Sequence, residues 1–72
     1  MNSFFIDYIK DGKAKTIQFY DSIKACERAK ILAISLKETI SVFKVDLNTG
    51  KSFEVYQAYP NGSGMVKNVC LD

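Results

Sequence analysis

The chain has no histidine among its 72 residues. Histidine is the side chain that most often transfers protons near neutral pH and most often binds transition metals. We therefore predict that the protein is not an enzyme and holds no metal or cofactor. Net charge is also small, because ten Lys and Arg stand against eight Asp and Glu to give +2. By itself this balance is too weak to indicate nucleic acid or an anionic membrane as a partner.

Cysteine is scarce as well, with only Cys26 and Cys70. The two fit no C-x-x-C spacing, so we expect reduced, apolar side chains, with Cys26 in the core. A disulfide between them would require secretion. The amino terminus has no cationic segment, Asp7 interrupts its apolar run, and no stretch approaches the roughly 18 apolar residues of a membrane span. These features predict a cytoplasmic protein.

The chain is also short, and we expect residues 1–72 to form a single domain. A chain of this size buries only about 60% of the surface that its unfolded form exposes. Its core rarely supplies more than about 3–5 kcal/mol after chain entropy, even at about 25 cal/mol per Å² of apolar burial. Yet 47% of the residues are hydrophobic, which argues against disorder. A thin margin of stability and abundant apolar residues together favour association.

The clearest local signal is Asp11-Gly12, which lies between two segments rich in β-forming residues. A two-residue type I′ loop there predicts a hairpin over residues 4–20 with Lys10 opposite Lys13. Counting back from that pair assigns the two faces of the hairpin. On the face that we predict to be core, the pairs are Tyr8 with Lys15, Ile6 with Ile17 and Phe4 with Phe19; on the other, Asp7 with Thr16 and Phe5 with Gln18.

One amphipathic segment follows, and it predicts a helix over residues 21–38. Asp21 or Ser22 can cap its amino terminus. Its apolar positions fall at the spacing of one helical stripe, and alanine dominates that stripe. They are Ala25, Ala29, Leu32, Ala33 and Leu36. Because small side chains let a helix lie close to a sheet, we expect this stripe to face the strands.

A second hairpin is predicted over residues 41–59 around Asn48-Thr49-Gly50. A three-residue loop with Gly50 left-handed would pair Leu47 with Lys51. That register turns one set of side chains toward the core, namely Phe43, Val45, Leu47, Phe53 and Val55. It turns another set outward, namely Val42, Lys44, Asp46, Ser52, Glu54 and Tyr56, with Lys44 opposite Glu54 as an ion pair.

These segments predict an α+β fold of ββαββ type, an antiparallel sheet of four strands with one helix on one face. After the turn-rich Tyr59-Pro60-Asn61-Gly62, residues 65–71 show a short apolar alternation. That segment is predicted to form a fifth strand or, alternatively, a swapped arm.

Several patterns that carry chemistry elsewhere are better explained without it. Asp46-x-Asn48-x-Gly50 resembles the start of a calcium loop, but an EF-hand needs its glycine one place later and a glutamate where Gln57 stands. Gly62-Ser63-Gly64 is followed by Met65 instead of the lysine of a phosphate loop. A nucleophilic Cys26 would have Lys30 as its only activating helical neighbour.

The strongest functional signal is an excess of apolar residues on faces that should meet water. Helical spacing places Ile23, Ile31 and Ile34 away from the alanine stripe, so they cannot all be core. The outward face of the predicted sheet carries a second apolar set, namely Phe5, Ile9, Tyr20, Val42 and Tyr56. Both sets are predicted to form a protein–protein interface.

We therefore predict a small regulatory or inhibitory protein–protein interaction module that self-associates as a homo-oligomer, with no membrane partner. The alternative is a module that binds single-stranded nucleic acid. In that interpretation Lys10, Lys13 and Lys15 contact phosphates, and the outward aromatic rings stack on bases. Carboxylates on the same face, at Asp7 and Glu54, weigh against this alternative.

Overall fold

The computed structural model describes residues 2–67 of the chain. Within that range five strands and one helix follow in the order ββαβββ. Their bounds are β1 Asn2–Lys10, β2 Lys13–Phe19, α1 Ser22–Leu36, β3 Ile40–Asp46, β4 Ser52–Ala58 and β5 Gly64–Val66. The strands form one antiparallel sheet in the order β2-β1-β3-β4-β5, and α1 packs on one face of it. This confirms the predicted α+β fold. We call the two sides of the sheet the helix face and the open face.

The first hairpin forms as its turn predicts. Asp11 and Gly12 both have positive φ, at 55° and 76°, which is the backbone of a type I′ loop. Lys10 pairs with Lys13, and the register continues through Ile6 opposite Ile17. The predicted register is therefore confirmed, and so is the burial of Phe4 and Ile6 beneath the helix.

Helix α1 is capped at both ends, by a side chain at its amino terminus and by backbone hydrogen bonds at its carboxyl terminus. The Asp21 carboxylate accepts a hydrogen bond from the Ile23 amide at 2.9 Å, so Asp21 is the N-cap. At the other end Lys37 adopts the left-handed conformation with φ 58°, and the amides of Lys37 and Glu38 both donate to the Ala33 carbonyl. The left-handed residue stops the helix at Leu36, two residues before the predicted end.

The second hairpin differs from its prediction in the turn. The Gly50 amide donates to the Asp46 carbonyl at 2.7 Å, and the Asp46 amide donates to the Lys51 carbonyl at 2.9 Å. The loop therefore has four residues, 47–50, and the predicted pairing of Leu47 with Lys51 is wrong. Gly50 is left-handed as expected, with φ 75°. The Asp46 side chain, which accepts from the Asn48 amide at 2.9 Å, favours the longer loop.

Strand β3 presents the opposite faces from those predicted, and its register with β4 also differs. In the backbone register Lys44 lies opposite Phe53, so the predicted register at this position is wrong. Val42 lies on the helix face and is fully buried, whereas Phe43 and Val45 lie half-buried on the open face. The pairing with β1 fixes these faces, because Val42 lies opposite Ile6 and Phe43 opposite Phe5, and an error of one residue moves every side chain of a strand to the other face.

A β-bulge in β4 then restores the expected pairing of Val42 with Tyr56. The register shifts between Val42 and Phe43, and Val55 is left without a partner in β3. The Val55 carbonyl instead accepts the Lys67 amide at 3.0 Å. Because of the bulge, Val55 and Tyr56 are both buried although they are adjacent in sequence. The prediction that Tyr56 faces outward is therefore wrong.

Strand β5 closes the far edge of the described sheet. It spans Gly64–Val66 and pairs with β4, so the predicted fifth strand is confirmed over these residues. The rest of the predicted segment, including Cys70 and Leu71, lies outside the described residues. The Tyr56 ring lies directly over Gly64, where an added β-carbon would overlap the tyrosine hydroxyl. Tyr56 thus links β5 to the core.

The core lies between α1 and the helix face of the sheet. The helix contributes Ala25, Ala29 and Ala33, which are all fully buried. The sheet contributes the larger side chains, which are Phe4, Ile6, Ile40, Val42, Val55 and Tyr56, together with Ala58. Cys26 is half-buried beside this cluster, so the prediction of a core cysteine is only partly met.

Candidate interaction surface

Three isoleucines project from the side of α1 that faces away from the sheet. Ile23 is 69% exposed, Ile31 62% and Ile34 53%. At about 100° per residue, all three lie between about 120° and 160° from Ala29, the centre of the buried stripe. We call Ile23, Ile31 and Ile34 the isoleucine face. The prediction that these residues cannot all lie in the core is confirmed, since all three are exposed.

The isoleucine face contains two charges in its middle. Glu27 and Lys30 are exposed, and helical geometry places them between Ile23 and Ile34. On the flank toward β2, Ile31 and Glu27 border a depression of about 310 Å³ that is also lined by Phe19, Lys24 and Arg28. This side of the helix therefore combines three exposed isoleucines with charged neighbours.

The open face of the sheet carries a second apolar group. Phe5, Phe43 and Val45 line a depression of about 370 Å³ together with Asp7, Thr16 and Ser52. Polar groups around it are paired: the Thr16 hydroxyl donates to the Asp7 carboxylate at 2.6 Å. The depression therefore combines three apolar side chains with a hydrogen-bonded Asp7–Thr16 pair.

Two further predicted contact residues lie at the margins of the open face. Tyr20 is 66% exposed, and its hydroxyl accepts a bond from the Gln18 amide group at 3.3 Å. The same amide group donates to the buried Ser3 hydroxyl at 2.7 Å. Ile9 is 62% exposed near the first turn. Phe5, Ile9 and Tyr20 thus lie on the predicted side of the sheet.

Val42 and Tyr56 do not belong to this surface, although the sequence assigned them to it. Val42 is fully buried and Tyr56 is 8% exposed, both beneath α1. In their place the open face presents Phe43 and Val45, which the sequence assigned to the core. The sequence gives one sign of this ambiguity. Val42 and Phe43 are adjacent and both apolar, so either residue could face the core.

The three lysines of the nucleic-acid alternative are exposed around the first turn. Lys15 pairs with Tyr8, which packs against the core, so Lys15 belongs to the helix face. Lys10 and Lys13 lie on the same face, since each is two residues from this pair along its strand. Phe5 lies on the open face, so the sheet separates the lysines from the ring expected to stack on bases.

The remaining chemistry-bearing residues are accounted for by local structure. Burial raises the pKa of the Cys26 thiol, and the nearby Lys30 charge opposes this effect only partly. The thiol is therefore protonated at neutral pH, which is unfavourable for a nucleophile. In the 61–63 turn, the Asn61 side chain accepts from the Ser63 amide and hydroxyl at 3.0 and 2.6 Å. Within residues 2–67 no three His, Cys, Asp or Glu residues come together as metal ligands.

Over the described part of the chain, no helix is both long enough and apolar enough to cross a lipid bilayer. Comparison of the chain with protein-family models, curated proteins and solved structures finds no match.

Proposed function

We propose that this protein is a small regulatory or inhibitory protein–protein interaction module that self-associates and carries no catalytic chemistry of its own. One observation carries the proposal. Helix α1 carries apolar side chains on both sides: the alanine stripe, flanked by the half-buried Leu32 and Leu36, packs on the sheet, and three isoleucines project away from it. Three alanines are fully buried against the sheet, whereas three isoleucines are between 53% and 69% exposed.

Three exposed isoleucines on the outer side depart from the usual pattern of a surface helix. A helix that packs on one side only normally carries its large apolar residues inward and charged residues outward. A helix that is apolar on both sides is typical of a segment covered on both sides. Several exposed large apolar residues on one side of a small protein favour an interaction site there. A second subunit on the isoleucine face would supply the missing cover.

Small size gives a further reason to favour self-association over a purely monomeric role. A domain of this length has little apolar burial in reserve, and pairing of two copies adds burial without a longer chain. As in the sequence-based prediction, we place this activity in the cytoplasm. The proposal assigns the isoleucine face as the first contact and the open face, with Phe5 and Phe43, as a separate surface.

The test is the oligomeric state of a triple variant. Sedimentation velocity over micromolar to high micromolar concentrations should show a reversible dimer for the natural chain. Replacement of Ile23, Ile31 and Ile34 by Gln should leave a monomer with an unchanged circular dichroism spectrum, because Gln forms helices at least as well as Ile. Ile9→Gln is the matched control, since Ile9 and Ile31 are both 62% exposed.

The outcomes separate the surfaces. Dissociation by the triple variant but not by Ile9→Gln supports the proposal. Dissociation only by Ile9→Gln would move the contact to the open face. A natural chain that is monomeric throughout contradicts self-association. If such a monomer also bound a single-stranded oligonucleotide with an affinity that falls steeply with salt, the nucleic-acid alternative would replace the proposal.

A further inference from the structure

Four residues form a straight row along the exposed side of α1. They are Ile23, Glu27, Lys30 and Ile34, at successive spacings of four, three and four residues. At about 100° per residue the whole row lies within about 60° of the helix circumference. Spacing of this kind places side chains on the contact line of paired helices. We call these four residues the seam.

The seam is complementary to its own reverse. Consider a two-fold axis that is perpendicular to α1 and meets the seam halfway along it, at the level between residues 28 and 29. This axis exchanges position 23 with 34 and position 27 with 30. Each isoleucine then meets an isoleucine, and each charge meets a charge of opposite sign. A parallel alignment would instead place each residue against its own copy, so that Glu27 would meet glutamate and Lys30 would meet lysine.

We propose that two copies of the chain associate through an antiparallel pair of α1 helices. This inference rests on the proposed self-association and adds its geometry. Ile23 packs against the partner subunit's Ile34, and Glu27 pairs with the partner subunit's Lys30. Each contact occurs twice about the two-fold axis, as an interface between identical surfaces requires. Ile31 covers one flank of the seam.

Charge complementarity favours a second copy of the chain as the partner on this surface. The length of the helix limits the affinity of the dimer. Fifteen residues of helix at about 1.5 Å per residue give a contact about 22 Å long. A single helix pair of that length lies at the small end of protein interfaces, so we expect a dimer that exchanges at micromolar concentration. Exposed charge pairs in such a contact decide orientation more than affinity.

The first experiment reverses the charges of the seam. Glu27→Lys or Lys30→Glu alone converts two attractive pairs of the dimer into two repulsive ones, and should weaken dimerisation roughly tenfold. The double variant Glu27→Lys with Lys30→Glu restores opposite signs and should recover most of the natural dimerisation constant. Arg28→Glu is the control, because it makes the same charge change as Lys30→Glu off the seam, and should have a small effect. Circular dichroism of each variant verifies that the helix is intact.

The second experiment fixes the direction of the helices by disulfide capture. In a background with Cys26→Ser and Cys70→Ser, Ile23→Cys and Ile34→Cys chains are prepared separately and then mixed. A disulfide needs α-carbons within about 7 Å, whereas positions 23 and 34 are about 16 Å apart along the helix. Antiparallel pairing therefore predicts cross-links between unlike chains and few between like chains.

The results distinguish this geometry from self-association itself. Cross-links between unlike chains, with rescue by the double charge reversal, support the antiparallel pair. Cross-links mainly between like chains, or a dimer indifferent to all three charge variants, overturn the geometry and leave self-association standing. A natural chain that never dimerises overturns both.

Discussion

Two tyrosines provide the sharpest check on which side of the sheet each strand presents. The sequence assigned Tyr20 and Tyr56 to the same outward surface, whereas the structure separates them. Tyr20 is 66% exposed and Tyr56 only 8%. Replacing each by Ala removes the same atoms, so the difference between the two variants depends on environment alone.

The expected magnitudes differ by several kilocalories. Removing a large buried aromatic side chain costs about 3–5 kcal/mol through lost transfer free energy and the cavity left behind. The Tyr56 ring also covers Gly64 of β5, so the truncation would expose that contact as well. A core of this size supplies only about 3–5 kcal/mol in total, so Tyr56→Ala should be largely unfolded at 25 °C. Tyr20→Ala should cost no more than about 0.5 kcal/mol, because its ring is mostly in water.

The assay is urea denaturation followed by far-ultraviolet circular dichroism, at a protein concentration low enough for the monomer to predominate. Tyr56→Phe is a useful third variant, since it keeps the ring and should remain folded. If Tyr56→Ala unfolds at nearly the same urea concentration as the natural chain, or if Tyr20→Ala is the more damaging change, the orientation of β3 and β4 described above is incorrect.

Three other predictions concern the edges of the fold. Gly64→Ala should destabilise the domain by about 1–3 kcal/mol in urea denaturation, because the added methyl group must displace the Tyr56 ring; no change in stability would mean that the ring does not cover this position. Lys37→Gly should raise the free energy of unfolding by about 0.5–1 kcal/mol, because glycine adopts the left-handed C-cap without the steric cost that lysine bears; a loss of stability would contradict the cap. The Cys26 thiol should react with iodoacetamide more slowly at pH 8 than the same thiol in urea, as measured by mass spectrometry of its peptide, because burial raises its pKa and keeps it protonated. Since the unfolded thiol ionises first, ionisation favours the unfolded chain, and the contribution of Cys26 to stability is lost as pH rises through its folded pKa; a reaction rate in the folded protein equal to that in urea would contradict this assignment.

The first hairpin could be predicted from sequence because its turn allows one geometry. Asp11-Gly12 supplies two adjacent residues that accept positive φ, and a two-residue loop leaves no freedom in register. The sequence narrowed the helix N-cap to Asp21 or Ser22, and the hydrogen bond from the Ile23 amide to the Asp21 carboxylate makes it Asp21. At the first turn and at the start of α1, residues next to each other in sequence are therefore enough to predict the local structure.

The second hairpin could not be predicted because its local signals permit more than one register. A left-handed Gly50 is compatible with three-residue and four-residue loops alike. Strand β3 does not decide between them, since Val42 and Phe43 are adjacent and both apolar. The decision comes from pairing with β1, where Phe4 lies opposite Lys44 and Ile6 opposite Val42. That contact is long-range, and no turn residue encodes it.

The candidate surface also has a part that local sequence determines and a part that long-range pairing determines. Exposure of Ile23, Ile31 and Ile34 follows from helical periodicity alone, so sequence was sufficient. Membership of the open face depends on the register of β3 and on the bulge at Val55. The sequence therefore placed Tyr56 on the wrong side and missed Phe43, whereas Phe5, in the well-determined hairpin, was placed correctly.

The division of side chains on α1 connects the fold to the proposed pairing. Methyl side chains on the inner side let the helix approach the sheet closely, and the larger residues of the sheet fill the space between. Leu32 and Leu36 add to this contact from the flanks of the stripe, whereas Ile23, Ile31 and Ile34 stay more than half exposed in one subunit. Its three isoleucines could stabilise the fold only if something covered them. In the proposed dimer an antiparallel second helix covers them, and the order Ile23, Glu27, Lys30, Ile34 sets each charge against one of opposite sign.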